Sequence, residues 1–275
     1  MLTGETRLVG LLGNPVSHSL SPQMQNAAFA ARGLDWAYVP LPVEPEDLEA
    51  AVSGLTALGF AGANVTIPHK SAIVSFCDEL DEVAERAASV NTLVVREGRV
   101  LGSSTDGRAV TDAVAAEGAH VLVLGAGGAA VAVAVALLDA GAAGVTVAAR
   151  DPDRADALAA RLLALFPEKE VAAAAAWPPA AAGATLLVNA TPLRDELPLE
   201  PRAGQAVVDL AYRPGGEPTA LVEAARTAGC DQVVDGREVL VRQGAASFER
   251  WTGLTAPVDA MRFAISEGEY ATTDT

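Results

Sequence analysis

Short apolar runs alternate along the chain with stretches of helical spacing, and this rhythm persists over almost the whole length. From the N-terminus, residues 7–13 (RLVGLLG) predict a strand, 22–32 a helix, 36–43 a strand and 45–58 a helix. Pro45, Glu46 and Asp47 make a good start for that second helix, since Pro suits the first turn and carboxylates suit the positive end of the dipole. A strand over 60–65 and one or two helices over 71–88 follow. NTLVVREGRVLG, at 91–102, carries two apolar runs around Glu97 and Gly98, a hairpin signature.

A second series begins after Asp106, with a helix to Glu117, a strand over 120–124, a helix to Ala140, a strand over 145–148 and a helix over 152–165. Strands over 185–188 and 206–210 and helices over 219–228, 240–251 and 258 to about 267 complete it. AAAAAWPPAAAG, at 172–183, is low in complexity with a Pro-Pro break and is expected to be a surface loop; the final ATTDT is expected to fray. Such alternation implies parallel sheets covered on both faces, in the α/β class, with ligands at the carboxyl ends of the strands. A chain of 275 residues suits two domains of roughly 100 to 150 residues, so the expected active site is a cleft between them.

Composition narrows the possible partners. Half the residues are hydrophobic (51%) and one fifth charged (20%), which is the balance of a folded chain rather than a disordered one. A formal charge of −16 repels nucleic acid and anionic membrane, so the expectation is a small-molecule ligand with neither of those partners. An anionic ligand would then need its own local donors and positive charge. Cys77 and Cys230 read as unpaired residues of a reducing compartment, and the first residues lack the features of a signal peptide, so a cytoplasmic protein is expected. Residues 118–138 carry no formal charge, but strand, glycine turn and buried helix explain them better than a membrane span does.

GAGGAA (Gly125, Ala126, Gly127, Gly128, Ala129, Ala130) follows the run VLVL and opens a helix, so Gly125, Gly127 and Ala130 occupy the three small positions of a dinucleotide fingerprint. Small residues there allow the tight turn, close approach to a pyrophosphate and tight helix packing, with the helix N-terminus facing the phosphates. As a purely structural turn the motif would be weaker, but the strand before it and the helix and strand after it favour the binding reading. At the end of the next strand, Arg150 and Arg154 stand one helical turn apart and can clamp a 2′-phosphate, which favours NADP. Asp151, which could pair with Arg150 or bind a ribose hydroxyl, keeps NAD as the second choice.

GNPVSHSLSP (13–22), GANVTIPHK (62–70), SVNTLVV (89–95) and SSTDG (103–107) are polar where simple packing would not require it. Their hydroxyls and amides suit a small polar ligand, although Ser19, Ser21 and Thr66 could serve as helix caps, and Asn64 and Asn91 as turn residues. Lys70 and Lys169 are the only lysines beside seventeen arginines. Lysine can exchange a proton near neutral pH when desolvated and arginine cannot, so Lys70 is a candidate for chemistry, with Asp106 as its natural carboxylate partner.

With NATP and QGAASFERWTG, these segments occur in the order and spacing of the shikimate dehydrogenase family, and the chain resembles that family over essentially its whole length. The resemblance implies a substrate domain of residues 1–106 plus 239–275, a Rossmann-like NADP domain of residues 107–238, and hydride transfer in the cleft between them. It implies that Ser19 and Ser21 hold a substrate carboxylate, that Asn64, Thr66, Asn91 and Gln243 bind ring hydroxyls and carboxylate, and that Lys70 and Asp106 form the catalytic pair. By the same resemblance Tyr212 closes over substrate and nicotinamide, and Asn189, Thr191 and Gly236 lie near the cofactor. Ser104 stands where the family usually has Asn, Ala149-Arg150-Asp151 where it has Asn-Arg-Thr, and Glu238-Val239 where it has Gly-Met. The alternatives are a quinate/shikimate dehydrogenase using NAD, an aminoshikimate dehydrogenase, or a non-catalytic dinucleotide-binding sensor. Glycines near 102–107 and 236 are expected as hinges, and the chain as a monomer or homodimer.

Overall fold

The computed structural model describes residues 2–181 and 183–266; the expected helix end at Glu267 and the frayed tail 271–275 lie outside the described residues. The first half runs β1 (Arg7–Gly13), α1 (Ser21–Ala31), β2 (Trp36–Pro42), α2 (Leu48–Ala57), β3 (Gly62–Val65), β4 (Glu79–Leu80), α3 (Glu82–Ala87), β5 (Thr92–Arg96), β6 (Arg99–Ser103) and α4 (Asp106–Thr111). The second half runs β7 (His120–Leu124), α5 (Gly128–Asp139), β8 (Gly144–Ala148), α6 (Pro152–Leu165), β9 (Glu170–Ala173), β10 (Leu186–Asn189), β11 (Ala206–Asp209), α7 (Ala220–Thr227) and β12 (Gln232–Val234). Two further helices, α8 (Gly236–Thr252) and α9 (Val258–Ser266), close the described chain.

The strands form two six-stranded sheets, ordered β2-β1-β3-β5-β6-β4 and β12-β11-β10-β7-β8-β9. The second is parallel throughout. Its order reverses between β7 and β10, the doubly wound arrangement in which a dinucleotide lies over the reversal point. The first sheet is mixed rather than parallel, because the hairpin returns antiparallel: β5 pairs antiparallel with both β3 and β6. Glu97 (φ 51°) and Gly98 (φ 77°) supply the two positive φ values of a tight primed turn.

Several elements differ from their expected bounds for local reasons. Residues 71–88 hold a 3₁₀ turn (Ala72–Phe76), the short β4, and α3, because Asp78 accepts from Val100 N (2.7 Å) and draws the chain onto the hairpin edge. α4 stops at Thr111 rather than Glu117: the Thr111 hydroxyl bonds back to Arg108 O (3.2 Å), and Arg242 takes Asp112 O (2.9 Å). α8 starts at Gly236 rather than Leu240, since Asp235 caps the amides of Arg237 and Glu238 (3.1 and 3.0 Å). β9 ends inside the Ala-rich stretch, and Trp177 and Ala181 pack on the second sheet's core, so that segment is only partly a surface loop. Residues 118–138 form β7 and most of α5; among the described residues no helix is long and apolar enough to cross a membrane.

Two segments join the halves. α4 packs so tightly on α5 that a Cβ at Gly107 would sit 2.6 Å from Ala132 O. α8 places Val239 in the core of the second sheet, and Val241, Phe248 and Trp251 in that of the first. There Trp251 Nε1 donates to Leu93 O (2.9 Å). Gly102 and Gly236, expected as hinges, are sites of close approach: a Cβ at Gly102 would meet Cys77 Sγ at 2.7 Å, and one at Gly236 would collide with Ala211 O.

Candidate active site

Strand directions explain why four separated polar motifs converge. β1 and β3 run parallel, so their C-terminal ends deliver residues 13–22 and 66–70 to one edge of the first sheet. β5 runs the other way and brings Asn91 to the same edge, while β6 returns Ser103 to Asp106 there. Asn64, Thr92 and Ser103 consequently lie in one cross-strand row.

At the centre of that edge Lys70 Nζ lies 2.5 Å from Asp106 Oδ2, with side chains only 17% and 8% exposed. Water therefore has little access to the pair, and the ion pair is stronger than a surface one. Asn91 Nδ2 donates to the other carboxylate oxygen (2.8 Å) and to Thr105 Oγ1 (2.9 Å); Asn91 Oδ1 accepts from Thr105 N (2.9 Å) and Thr92 Oγ1 (3.0 Å). Gln243 of α8 reaches the same amide with Oε1 (3.4 Å).

Asn64 lies one layer deeper. Its Nδ2 donates toward Asn91 O (3.0 Å), Ser247 Oγ (3.0 Å) and Thr92 Oγ1 (3.2 Å), and its Oδ1 accepts from Tyr38 OH (2.9 Å). Tyr38 is buried, and that burial pushes its phenol far above the ordinary tyrosine value, so it stays a neutral donor. Tyr38, Thr92, Thr105 and Ser247 are network members that sequence reasoning passed over. Thr92 and Thr105 adjoin Asn91 and Asp106 in their motifs; nothing distinguishes Tyr38 from other apolar strand residues until its partner is known.

Ser19 and Ser21 sit at the entry to α1, where Ser19 Oγ accepts from Ser21 N (3.2 Å). Tyr212 crosses from the other half to this turn, its hydroxyl accepting from Leu20 N (3.4 Å). Thr66 is half-buried with its methyl against Gly13. Ser104 is buried and its hydroxyl has no partner among the described residues.

The second sheet presents the glycine loop. Gly125 has φ 111°, a conformation that disfavours side chains, and a Cβ there would press on Ala190 O at 3.0 Å. Gly127 caps α5 and faces open space. At Gly128 a Cβ would meet Ser89 Oγ at 2.7 Å and Lys70 Cβ at 3.0 Å, so the loop lies against Lys70. Ala130 is fully buried beneath it. The open face at Gly127, the N-terminus of a twelve-residue helix and the strand reversal beside it fit a dinucleotide pyrophosphate.

Arg150 and Arg154 are exposed, and among the described residues neither makes an ion pair; Arg154 Nη2 reaches Ala126 O (3.4 Å) over the loop. Asp151 caps α6 by accepting from Asp153 N (3.1 Å), so its carboxylate is engaged locally rather than with Arg150. Asn189 is spent on structure, donating to Asp209 Oδ1 (2.8 Å) while its own oxygen accepts from Thr191 N (3.0 Å) and Thr191 Oγ1 (2.6 Å). Asp209 also accepts from Thr219 Oγ1 (2.5 Å) and Ala211 N (2.9 Å). Burial pushes its carboxyl up to about 6 despite those three donors. Glu238 turns to Arg242 (2.8 Å) and Arg262 (3.0 Å), tying α8 to α9.

A buried Lys–Asp pair on one α/β unit, pressed against the glycine loop of a doubly wound sheet, defines a two-domain dinucleotide-dependent oxidoreductase. Comparison with known proteins narrows the class. Residues 11–93 match the shikimate dehydrogenase substrate binding domain, 109–175 the shikimate / quinate 5-dehydrogenase model and 236–265 the shikimate 5′-dehydrogenase C-terminal domain. A shikimate dehydrogenase (NADP(+)) of Rubrobacter xylanophilus is 50% identical over 278 residues, covering 96% of this chain and 97% of that one. A crystal structure of a shikimate dehydrogenase in complex with NADP+ superposes with a TM-score of 0.87 at 33% identity, covering 96% of each chain. One from Thermus thermophilus, in complex with NADP(H) and shikimate, gives 0.81 at 35% identity over 96% of this chain and 100% of its own. The chain belongs to the shikimate dehydrogenase family.

Proposed function

We propose that Lys70 and Asp106 are the catalytic pair of an NADP-dependent shikimate dehydrogenase reaction, the reversible reduction of 3-dehydroshikimate to shikimate in aromatic amino-acid biosynthesis. The observation that carries the proposal is the 2.5 Å Lys70–Asp106 contact, set where the substrate-side motifs meet the glycine loop at Gly128. When bound, the nicotinamide cofactor donates or accepts the hydride. The pair moves the proton of the substrate 3-hydroxyl as one hydrogen-bonded unit, held in line by Asn91 on the free carboxylate oxygen. Ser19 and Ser21 receive the substrate carboxylate, with Asn64, Thr66, Asn91 and Gln243 around the ring. Tyr212 covers the pocket, and Gly125–Ala130, Arg150, Arg154, Asn189, Thr191 and Gly236 line the dinucleotide path.

Residues 1–106 with 239–275 form the substrate domain and 107–238 the dinucleotide domain, a division supported by the two separate sheets and by the core change along α8. The reading includes a cytoplasmic location and a monomer or homodimer; the unpaired thiols of Cys77 and Cys230 agree with a reducing setting. Following reduced-nicotinamide absorbance with shikimate or quinate crossed against NADP+ or NAD+ tests the function. Turnover chiefly with shikimate and NADP+ is expected. Preference for quinate or NAD+ would redirect the substrate and cofactor assignment, and silence in all four mixtures would contradict it.

A further inference from the structure

Between the end of β11 at Asp209 and the start of α7 at Ala220 the chain carries Tyr212 without strand or helix to hold it. Its internal backbone support is slight, namely Gly216 N bonding Arg213 O at 3.1 Å. Two arginines take over. Arg213 points back into its own half, to Pro218 O (2.8 Å), Asp195 Oδ1 (2.6 Å) and Arg194 O (3.3 Å). Arg237 comes from the first turn of α8 and donates through Nη2 to Pro214 O (2.6 Å) and Arg213 O (3.3 Å), the two carbonyls that follow Tyr212.

The fit around Arg237 is close. A Cβ at Gly216 would lie 3.1 Å from its Nη1, and that glycine has φ 97°, which admits the guanidinium where another residue would be strained. One residue earlier, Gly236 seats α8 directly on the backbone of Leu210 and Ala211. Arg237 Nε is buried without an acceptor among the described residues, which offsets part of what its two carbonyl bonds contribute to stability. From the same helix, Gln243 and Ser247 reach Asn91 and Asn64. One rigid element thus touches the Tyr212 loop at one end and the catalytic amides at the other.

We propose that Arg237 is a positioning residue that sets the Tyr212 loop over the substrate pocket, linking it through α8 to the Asn91–Asp106 corner. This rests on reading Tyr212 as the residue that covers the substrate. The test is steady-state kinetics of R237L and R237K, each alone and combined with Y212F, with melting temperatures alongside. Loss of two carbonyl bonds should raise KM for shikimate about tenfold in R237L, with kcat and KM for NADP+ changed less than about twofold. R237K, which keeps the charge but ends one bond short of Nη2, should fall between. In the Y212F background R237L should add less than about twofold, because the two act through one contact. The melting temperature should change by no more than a few degrees, since the lost carbonyl bonds are partly offset by removal of a buried donor that has no acceptor among the described residues. An unchanged KM in R237L, or the same tenfold rise in Y212F, would overturn the proposal. Y212F alone leaving KM unchanged would instead remove Tyr212 from the pocket, a separate failure of the underlying reading that takes the link with it.

Discussion

The Lys70–Asp106 corner and the glycine loop lie in contact yet are built on opposite principles. The corner is made of side chains that satisfy one another: Tyr38, Asn64, Thr92, Asn91, Asp106 and Lys70 form an unbroken buried chain of donors and acceptors. The loop is made largely of absences, with Gly127 facing open space and Gly125 and Gly128 admitting Ala190, Ser89 and Lys70 at close range, and the nearby charges, Arg150 and Arg154, are held out in solvent. A buried network of this kind fixes geometry before the ligand arrives, whereas a cleared loop acquires its partners from the ligand. The corner should therefore be intolerant of losing an atom and the loop intolerant of gaining one.

The largest effect is expected from D106A, which removes the partner of both Lys70 and Asn91 and should lower turnover roughly 10³-fold, in the range of proton-transfer catalysis. NADPH absorbance measures it; a fall of less than about tenfold would contradict the role. Removing both arginines, in R150A/R154A, should weaken NADP+ about thirtyfold and leave NAD+ within about twofold, because only the former carries a 2′-phosphate for them to bind. Equal losses for both cofactors, seen by fluorescence titration, would count against the clamp. Adding a single methyl where the two regions touch, in G128A, should press on Ser89 and Lys70 and cut kcat/KM about tenfold. A fully active G128A would show that the regions do not need that approach.

The smallest effect concerns Asp209, beneath the loop ends of β10 and β11. Its folded value of about 6 lies above that of an unfolded aspartate, so the stability it contributes is present in acid and is lost as pH rises through about 6. D209N cannot titrate. The melting temperature of the parent chain relative to D209N should accordingly fall by a few degrees between about pH 5 and pH 7. A difference independent of pH would show that Asp209 is not protonated in the folded chain within that window.

The two regions were also unequally legible. The glycine loop announced itself, because fingerprint spacing between a strand and a helix is a local pattern, and the second sheet followed from it apart from the edge strands β9 and β12. Lys70 stood out against a background of arginines. Tyr38 and Ser247 did not, since a buried tyrosine or serine acquires its meaning only from partners 26 and 183 residues from them, both met at Asn64. The mixed order of the first sheet followed from the hairpin, which was legible, but its consequence for neighbouring strands was not. Helix ends failed where distant groups intervened, as at Thr111, where Arg242 claims a carbonyl from a helix 130 residues away in sequence. Asn64 and Asn189 read from sequence as ligand-facing amides, and both turn out to be largely engaged with the protein itself.

Lys70 holds the central role in the proposed chemistry. The decisive measurement is a comparison of K70A with the parent chain, turnover by NADPH absorbance and shikimate affinity by calorimetry on the same preparations. Turnover of K70A is expected to be lower by roughly 10³-fold with the dissociation constant changed by less than about tenfold, the pattern of a group whose work is done in the transition state. Near-normal turnover, or a loss confined to affinity, would contradict that role.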